Sequence, residues 1–562
     1  MKHWRVNLFL VVVIALAATL GGRLFYLQVW SHKFYQSQAL GQQSQFATIQ
    51  GSRGEIFLEN SKESKGAENR GQAMGVAINE DKWVVAAMSK EIQDKNIFAA
   101  SLAPVIDQTK ESIQAQLESQ SYVVLKKEAN AVEKIALQKL KLKGLTFENK
   151  SSRFYPQKKL AAQVVGFVGG EKKGQYGLEG YYDELLTGKD GIREEKRGLE
   201  VIDTEDLSYL DGSDLYLTID YNIQSQAEQL LHQAFVDFSI ESGQIIVLKP
   251  DSGRIIAMAN FPEFDPNAYG KENDLEIFQN ATVQKIFEPG SIFKPFTMAM
   301  ALHEGKVTPQ TTFTDTGSVK IGPDTVYNFD RQKYGTQTLS GILEKSLNTG
   351  AVFLSQFIPH QIFMEYLDKL GFLDKTTIDV QGEVYSRNEI LRKGSDFGFA
   401  TASFGQGIEM TPLQLARAFA IFANGGRIVT PYIVDRVVRG QEKLVTKPKI
   451  SDPIISEKTA SEVTTMLTNV VERGFGKSAK VHGYYLAGKT GTAQVPLKNG
   501  KGYYEDKTIQ SFVGFGPSLK PQFLILVKLD NPAVSASAVS AAPIFGKLAK
   551  YIIDYWQIPP DY

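Results

Sequence analysis

From Val6 to Gly22 the chain carries no charged residue, within "MKHWRVNLFLVVVIALAATLGGRLFYLQVW". With the aromatic stretch through Trp30, the run supplies the about 20 helical residues that a bilayer core requires, and Arg23 can snorkel outward. Lys2 and Arg5 precede it, which places the N-terminus in the cytoplasm. Residues 1–5 then form a cytoplasmic tail and residues 6–30 a transmembrane anchor. A cleaved signal peptide is the competing reading, because Ala15-Leu16-Ala17 resembles a cleavage site. The apolar segment continues past that site, and Tyr26 and Trp30 have the character of interfacial anchors, which favours retention.

Beyond the anchor, "GQQSQFATIQGSRGEIF" and "NSKESKGAENRGQ" are polar and Gly-rich, as exposed loops are. "MGVAINEDKWVVAAM" has two short apolar runs around a polar centre, which predicts a hairpin. From Asp94 to Lys143 apolar residues recur at helical spacing among Lys, Glu and Gln. "YPQKKLAAQVVGFVGG" and "YGLEGYYDELLTGKDG" return to compact α+β patterning. None of this carries evident chemistry.

The texture changes near Asp214. "DLYLTID" reads as a strand and "YNIQSQAEQLLHQAFVDF" as an amphipathic helix. "GQIIVLKPDSGRIIAMANFP" reads as two strands across a four-residue turn. Near the far end, "SFVGFG" and "QFLILVKLD" are strands and "PIFGKLAKYIIDYW" a helix. Strands at both ends enclose a mostly helical middle, so the economical architecture is α+β, one antiparallel sheet with helices on its faces.

Composition narrows the function. A chain of 562 residues exceeds one core, and its length suggests about three or four domains. Lys+Arg and Asp+Glu are both 62, so no net charge points to nucleic acid. The chain has no cysteine, which removes disulfides, thiol nucleophiles and thiolate metal sites. Its six histidines include no pair at metal-ligand spacing, so no metal is expected.

"GYYLAGKTGT", Gly483 to Thr492, admits two readings. Gly483 through Thr490 spells the phosphate-loop pattern, which requires a buried strand before it and a helix after it. "GKSAKVH" before it is too charged for a central strand. Gly491, Pro496 and Gly500 after it oppose a helix. The stretch, with Lys489, Thr490, Gly491 and Thr492, reads better as an edge strand presenting alternate residues to a groove.

A cationic strand of this kind needs a nucleophile to serve. A serine followed three residues later by lysine occurs once in the chain, at Ser291 and Lys294 in "FEPGSIFKPFTMAMALHEG". Pro289-Gly290 ends the preceding segment and an amphipathic helix begins at about Ser291. Residues three apart share a helix face, which brings the Lys294 amine near the hydroxyl. The helix can pack inward through Phe293, Phe296 and Met300. Serine needs an adjacent base, and lysine serves as one only when its pKa falls towards roughly 7–8. Partial burial, the helix N-terminus and a second cation such as Lys489 act in that direction. A Ser-His-Asp system is disfavoured, since there is no G-x-S-x-G elbow and no histidine beside a candidate serine.

"TLSGILEKSLNTGAVFLSQFI" reads as a helix, an interruption and a second helix. On the short connection, Ser346 and Asn348 can point into one cleft. Ser386-Arg387-Asn388 repeats the S-x-N spacing, and chain order with helical context favours the first.

S-x-x-K, S-x-N and K-T-G in this order resemble the active site of penicillin-binding proteins and serine β-lactamases. "KIFEPGSIFKPFTMAMALHEG", "EKSLNTGAV", "ATASFGQGIEMTPLQLARAFAIFANGG" and "AGKTGTAQ…SFVGFGP" are similar to the transpeptidase domain of class B, monofunctional penicillin-binding proteins, here residues 214–562. "RFYPQKKLAAQVVGFVG" and "GQYGLEGYYDELLTGKDG" are similar to their non-catalytic, dimerisation-type pedestal, here residues 31–213. The S-F-G-Q-G run favours the cell-division (FtsI-like) branch over the elongation branch. In one departure, the pedestal's opening motif survives only as Arg53-Gly54-Glu55-Ile56, followed by "FLEN" and a Lys/Glu/Gly-rich insertion.

The resemblance implies D,D-transpeptidation of peptidoglycan without a cofactor. Ser291 would be acylated by a stem peptide ending in D-Ala-D-Ala, and an amine of a neighbouring stem would take the acyl group. Lys294 would accept the serine proton. Ser346, held by Asn348 and Lys489, would relay a proton to the departing amine. Lys489, Thr490 and Thr492 would hold the terminal carboxylate, with an oxyanion hole from the Ser291 and Thr492 N–H groups. β-Lactams would acylate Ser291. It also implies a single-pass cell-membrane protein with its catalytic domain outside the cytoplasm, working with division proteins and a lipid-II-polymerising SEDS-type glycosyltransferase. Alternatives keep the fold and change the outcome: a D,D-carboxypeptidase or β-lactam hydrolase, or a sensor or scaffold that only binds.

Overall fold

The computed structural model describes residues 44–59, 73–196, 210–497 and 502–562, with helical positions at 13–14, 16–17, 19–22 and 25. The expected tail at 1–5 and most of the expected anchor at 6–30 lie outside the described residues, as does the polar insertion at 60–72. Among the described residues no helix is long and apolar enough to cross a membrane.

The chain forms two compact units. The smaller joins Met1–Arg53 to Thr187–Gly212. Its described part is a two-stranded antiparallel ladder of Ser44–Gln50 against Asp190–Lys196, in register from Ser44↔Lys196 to Gln50↔Asp190. This corrects the loop expected over "GQQSQFATIQGSRGEIF" at Ser44–Gln50, whereas 51–55 is irregular, as expected. The distant strand takes up the backbone donors and acceptors that a polar, Gly-rich composition would otherwise leave to water.

The larger unit, Gly54–Leu186 with Ser213–Tyr562, contains two large sheets. The first runs in the order Glu442–Val445, Val434–Arg439, Asp214–Asp220, Ile56–Glu59, Met74–Met88, Tyr122–Ala129, with Leu145–Phe154 also paired to Met74–Met88. Two expectations change here. Met74–Met88 is one fifteen-residue strand and not a hairpin. Its polar centre, Asn79 to Lys82, stays extended because it pairs with Arg153 to Lys150 of the neighbouring strand. Asp214–Asp220 belongs to this sheet and not to the catalytic one, running parallel to Ile56–Glu59 and antiparallel to Val434–Arg439. A local pattern shows that a segment is extended, but not which sheet receives it.

The second sheet is wholly antiparallel, in the order Ile255–Phe261, Ser242–Leu248, Phe523–Asp530, Tyr503–Gly516, Ala487–Pro496. Ile255–Phe261, Ser242–Leu248 and Phe523–Asp530 are buried on both faces, and alternate residues feed different cores. Ile245 and Val247 pack with the helices Tyr221–Phe238 and Ala541–Trp556. Ile246 and Leu248 join a core that includes the helices Lys294–His303, Pro412–Ala423 and Glu457–Glu472. This is the α+β layering expected of the C-terminal half. Ala487–Pro496 is an edge strand of this sheet, as expected.

The helix after Ser291 is buried all round and has no solvent face to make it amphipathic, since every residue from Lys294 to Leu302 is buried. Phe293, Phe296 and Met300 are within 1% of full burial. Phe296 meets Phe372 edge-on at 5.4 Å and packs against Phe422 at the same distance. A helix buried on all sides is a rigid support for what its first turn carries.

Candidate active site

Gly290–Phe293 forms one 3₁₀ turn that passes into the helix Lys294–His303, with Pro295 in its first turn. The Lys294 backbone N–H donates to the Ser291 carbonyl. In this geometry the side chains at i and i+3 lie over one another. The turn is bound to its surroundings through backbone: the Gly290 N–H donates to Gly405 O at 3.0 Å. Gly405 has φ +85°, and a Cβ there would stand 2.0 Å from Gly290 O, so only glycine allows the contact. The neighbouring Thr297 hydroxyl donates to Ser403 O at 2.8 Å. The S-F-G-Q-G run, Ser403 to Gly407, is therefore a brace for the nucleophile turn.

Ser346 and Asn348 lie where the helices Leu339–Glu344 and Asn348–Ser355 are interrupted. Ser346 has φ +54°, a left-handed conformation uncommon for a residue with a Cβ and enriched at functional sites. Its hydroxyl oxygen accepts from Lys489 Nζ at 2.9 Å and from Lys294 Nζ at 3.3 Å. Lys294 Nζ also donates to Ser346 O at 2.5 Å. Lys489 Nζ further donates to Thr490 O and Oγ1, at 3.1 and 3.3 Å. The structure thus brings Lys294, Ser346, Lys489 and Thr490 together. Asn348 stands apart from this cluster, because its Nδ2 donates to Tyr327 O at 2.9 Å. It anchors the start of its helix to the end of the strand Asp324–Tyr327.

Gly491 lies against the nucleophile turn, within reach of Ile292 and Pro289. The Thr492 hydroxyl shares a 3.1 Å hydrogen bond with the Ser537 hydroxyl. Ser386 and Asn388, the second S-x-N, bind Glu409 instead: Ser386 Oγ donates to Glu409 Oε2 and the Glu409 N–H to Asn388 Oδ1.

Lys294 is 1% exposed and Lys489 is fully buried. Burial, then the nearby Lys489 charge, hold the Lys294 amine well below the usual lysine range. Burial alone brings Lys489 down to about 7. Among the described residues neither amine has a carboxylate partner. Two buried amines without a counter-ion favour the neutral form of the more hindered one and the arrival of an anion at the other.

Two residues near these walls were not singled out in the sequence. Glu288 precedes Pro289-Gly290-Ser291 and is 7% exposed. Ser537 belongs to the segment after Phe523–Asp530 and is 2% exposed. Glu288 was visible by adjacency to the nucleophile. Ser537 had no sequence signal, since nothing in "NPAVSASAVS" sets it apart from Ser535 and Ser540.

Residues 243–550 match the penicillin binding protein transpeptidase domain and residues 48–217 the penicillin-binding protein dimerisation domain. The chain is 31% identical to stage V sporulation protein D of Bacillus subtilis, over 97% of this chain and 84% of that protein. It is 28% identical to the peptidoglycan D,D-transpeptidase FtsI of Escherichia coli, over 99% and 93%. The crystal structure of penicillin binding protein 3 from Mycobacterium tuberculosis, complexed with aztreonam, is similar with a TM-score of 0.70 at 26% identity, over 92% of this chain and 98% of that one. The chain belongs to the penicillin-binding proteins, as a class B member with dimerisation and transpeptidase domains.

Proposed function

We propose that this chain is a serine D,D-transpeptidase that cross-links peptidoglycan, with Ser291 as the acylated residue. The observation that carries the assignment is the pair of buried lysines meeting at Ser346, one of them a single 3₁₀ turn from Ser291. The similarity to the FtsI transpeptidase of Escherichia coli supports it over nearly the full chain.

Ser291 Oγ attacks the carbonyl carbon of the penultimate D-Ala, and neutral Lys294 takes its proton. The C–N bond to the terminal D-Ala breaks, and the departing amine receives a proton by way of the Ser346 hydroxyl, which Lys294 and Lys489 both contact. An amine of a second stem peptide then attacks the ester carbonyl. Its proton passes back along the same route, the ester bond breaks, and Ser291 recovers its hydroxyl. The substrate's terminal carboxylate is the anion that Lys489 lacks, with the Thr490 and Thr492 hydroxyls beside it. A carboxylate there favours the ammonium form of Lys489. The Ser291 and Thr492 N–H groups serve as the oxyanion hole, about 3 kcal/mol per donor. Asn348 supports the site by fixing the start of its helix. β-Lactams acylate Ser291 as mimics of the stem peptide.

The anchor at 6–30, a catalytic domain outside the cytoplasm, and work in septal wall synthesis with division proteins and a SEDS-type glycosyltransferase complete the reading. They are supported by the N-terminal apolar run and by the FtsI relatives. Labelling with fluorescent penicillin tests the assignment: the native protein is expected to label and Ser291→Ala not to label. Incubation with a D-Ala-D-Ala stem peptide and an acceptor amine should release D-Ala and yield a cross-linked product. Labelling retained in Ser291→Ala, or release of D-Ala with only hydrolysed peptide, would overturn it.

A further inference from the structure

Glu288 takes no part in the mechanism above, yet its carboxylate joins the nucleophile segment to the hairpin that carries Lys489 to Thr492 and to the run that braces the nucleophile turn. It lies three residues before Ser291, on the segment that leads into the nucleophile turn. Tyr503 donates its hydroxyl to both carboxylate oxygens, at 3.3 and 3.1 Å. Tyr503 begins the long strand Tyr503–Gly516, whose partner strand carries Lys489 to Thr492. The Gly407 N–H donates to Glu288 Oε1 at 3.1 Å. Gly407 closes the run that braces Gly290 through Gly405.

A buried carboxylate is costly unless its oxygens are satisfied. Here the satisfaction comes from outside its own element, from the hairpin and from the bracing loop. Burial pushes the Glu288 carboxyl up to about 7, with Glu409 as a neighbouring like charge and the Gly407 and Tyr503 donors opposing the shift. A neutral, apolar side chain at this position would fill the space as well. The acid is distinguished by its ability to accept from both donors at once.

We propose that Glu288 is a positioning residue that clamps the Lys489–Thr492 strand and the Ser403–Gly407 run onto the nucleophile turn, setting the distance between Ser291 and the carboxylate-binding strand. This inference rests on the transpeptidase reading. It separates binding from chemistry: β-lactam docking needs the groove, whereas acylation needs Ser291 held against it in reacting geometry.

The test uses the full-length protein and benzylpenicillin, resolving the non-covalent dissociation constant from the acylation rate constant in native protein, Glu288→Gln, Tyr503→Phe and the double variant. Each single variant is expected to lower the acylation rate constant about tenfold and to change the dissociation constant less than twofold. The double variant is expected to be no slower than Glu288→Gln, because the amide already replaces Oε2, the nearer acceptor of the Tyr503 hydroxyl. Unchanged acylation in Tyr503→Phe, or additive losses, would overturn the clamp. If Glu288→Gln fails to fold, Tyr503→Phe, which removes one oxygen, decides alone. Ser291→Ala runs in parallel: native protein that labels while Ser291→Ala does not keeps the transpeptidase reading whatever Tyr503→Phe does. Native protein that fails to acylate removes that reading and the clamp together.

Discussion

Lys489 Nζ donates to Ser346 Oγ at 2.9 Å, between a sheet-edge strand and the interruption of a helix more than a hundred residues earlier in the chain. This bond closes the cluster, because the same oxygen is 3.3 Å from Lys294 Nζ. One hydroxyl thereby connects the amine beside the nucleophile to the amine that awaits the substrate's anion.

Ser346 and Asn348, two residues apart, are expected to fail differently. Ser346→Ala removes the shared oxygen and should slow acylation by about 10²–10⁴ with little change in stability. Asn348→Ala removes one hydrogen bond to Tyr327 O and should cost about 1 kcal/mol of stability with a smaller kinetic loss. Penicillin acylation rates and thermal melts of the two variants check this, and equal kinetic losses would refute it.

Lys489 opposes stability where it serves catalysis. Its folded value is about 7, against about 10.4 in an unfolded chain. Between those values the unfolded chain binds more protons, so stability rises with pH across that window. Below pH 7 the cost of burying the charge is fully present. Lys489→Met is expected to be the more stable protein there, by up to about 4–5 kcal/mol, and to lose the rise in melting temperature between pH 7 and 10. Its acylation should nevertheless collapse. The residual rate should climb at higher pH than in the native protein, because Lys294 no longer feels a neighbouring cation.

Gly491 is required by contact, not by backbone conformation. A Cβ there would meet Ser511 Oγ at 2.6 Å and both Ile292 Cγ1 and Pro289 O at 2.9 Å. Gly491→Ala should push the strand off the nucleophile turn, costing about 1–3 kcal/mol and lowering acylation more than tenfold. An unaltered acylation rate would show that the two elements separate without consequence.

Glu179 tests the non-catalytic part of the larger unit. It is fully buried, and its Oε1 accepts from Arg153 Nε at 2.7 Å and from the Tyr155 hydroxyl at 3.3 Å. Glu179→Ala leaves a buried guanidinium uncompensated and should destabilise by about 3–5 kcal/mol. Acylation by the fraction that remains folded should be unchanged, as read by penicillin labelling against a melting curve.

Chemistry that depends on short spacing was legible in the chain. Ser291 and Lys294 are one turn apart, and Lys489 to Thr492 are consecutive, so local geometry alone groups them. The apolar runs of the C-terminal half were strands for the same reason, because period and length are local properties. Other features were decided by partners far along the sequence. Met74–Met88 became one strand because Leu145–Phe154 paired with its polar centre. Asp214–Asp220 joined Ile56–Glu59, not the catalytic sheet. Asn348 turned to Tyr327 O, although its spacing placed it beside Ser346. The depressed basicity of the two lysines is likewise tertiary, since it arises from burial among segments that no local pattern assembles. Short spacing along the chain marked out which groups could react. Only the folded packing decided which of them meet, because desolvation and long-range hydrogen bonding exist once distant segments exclude water together.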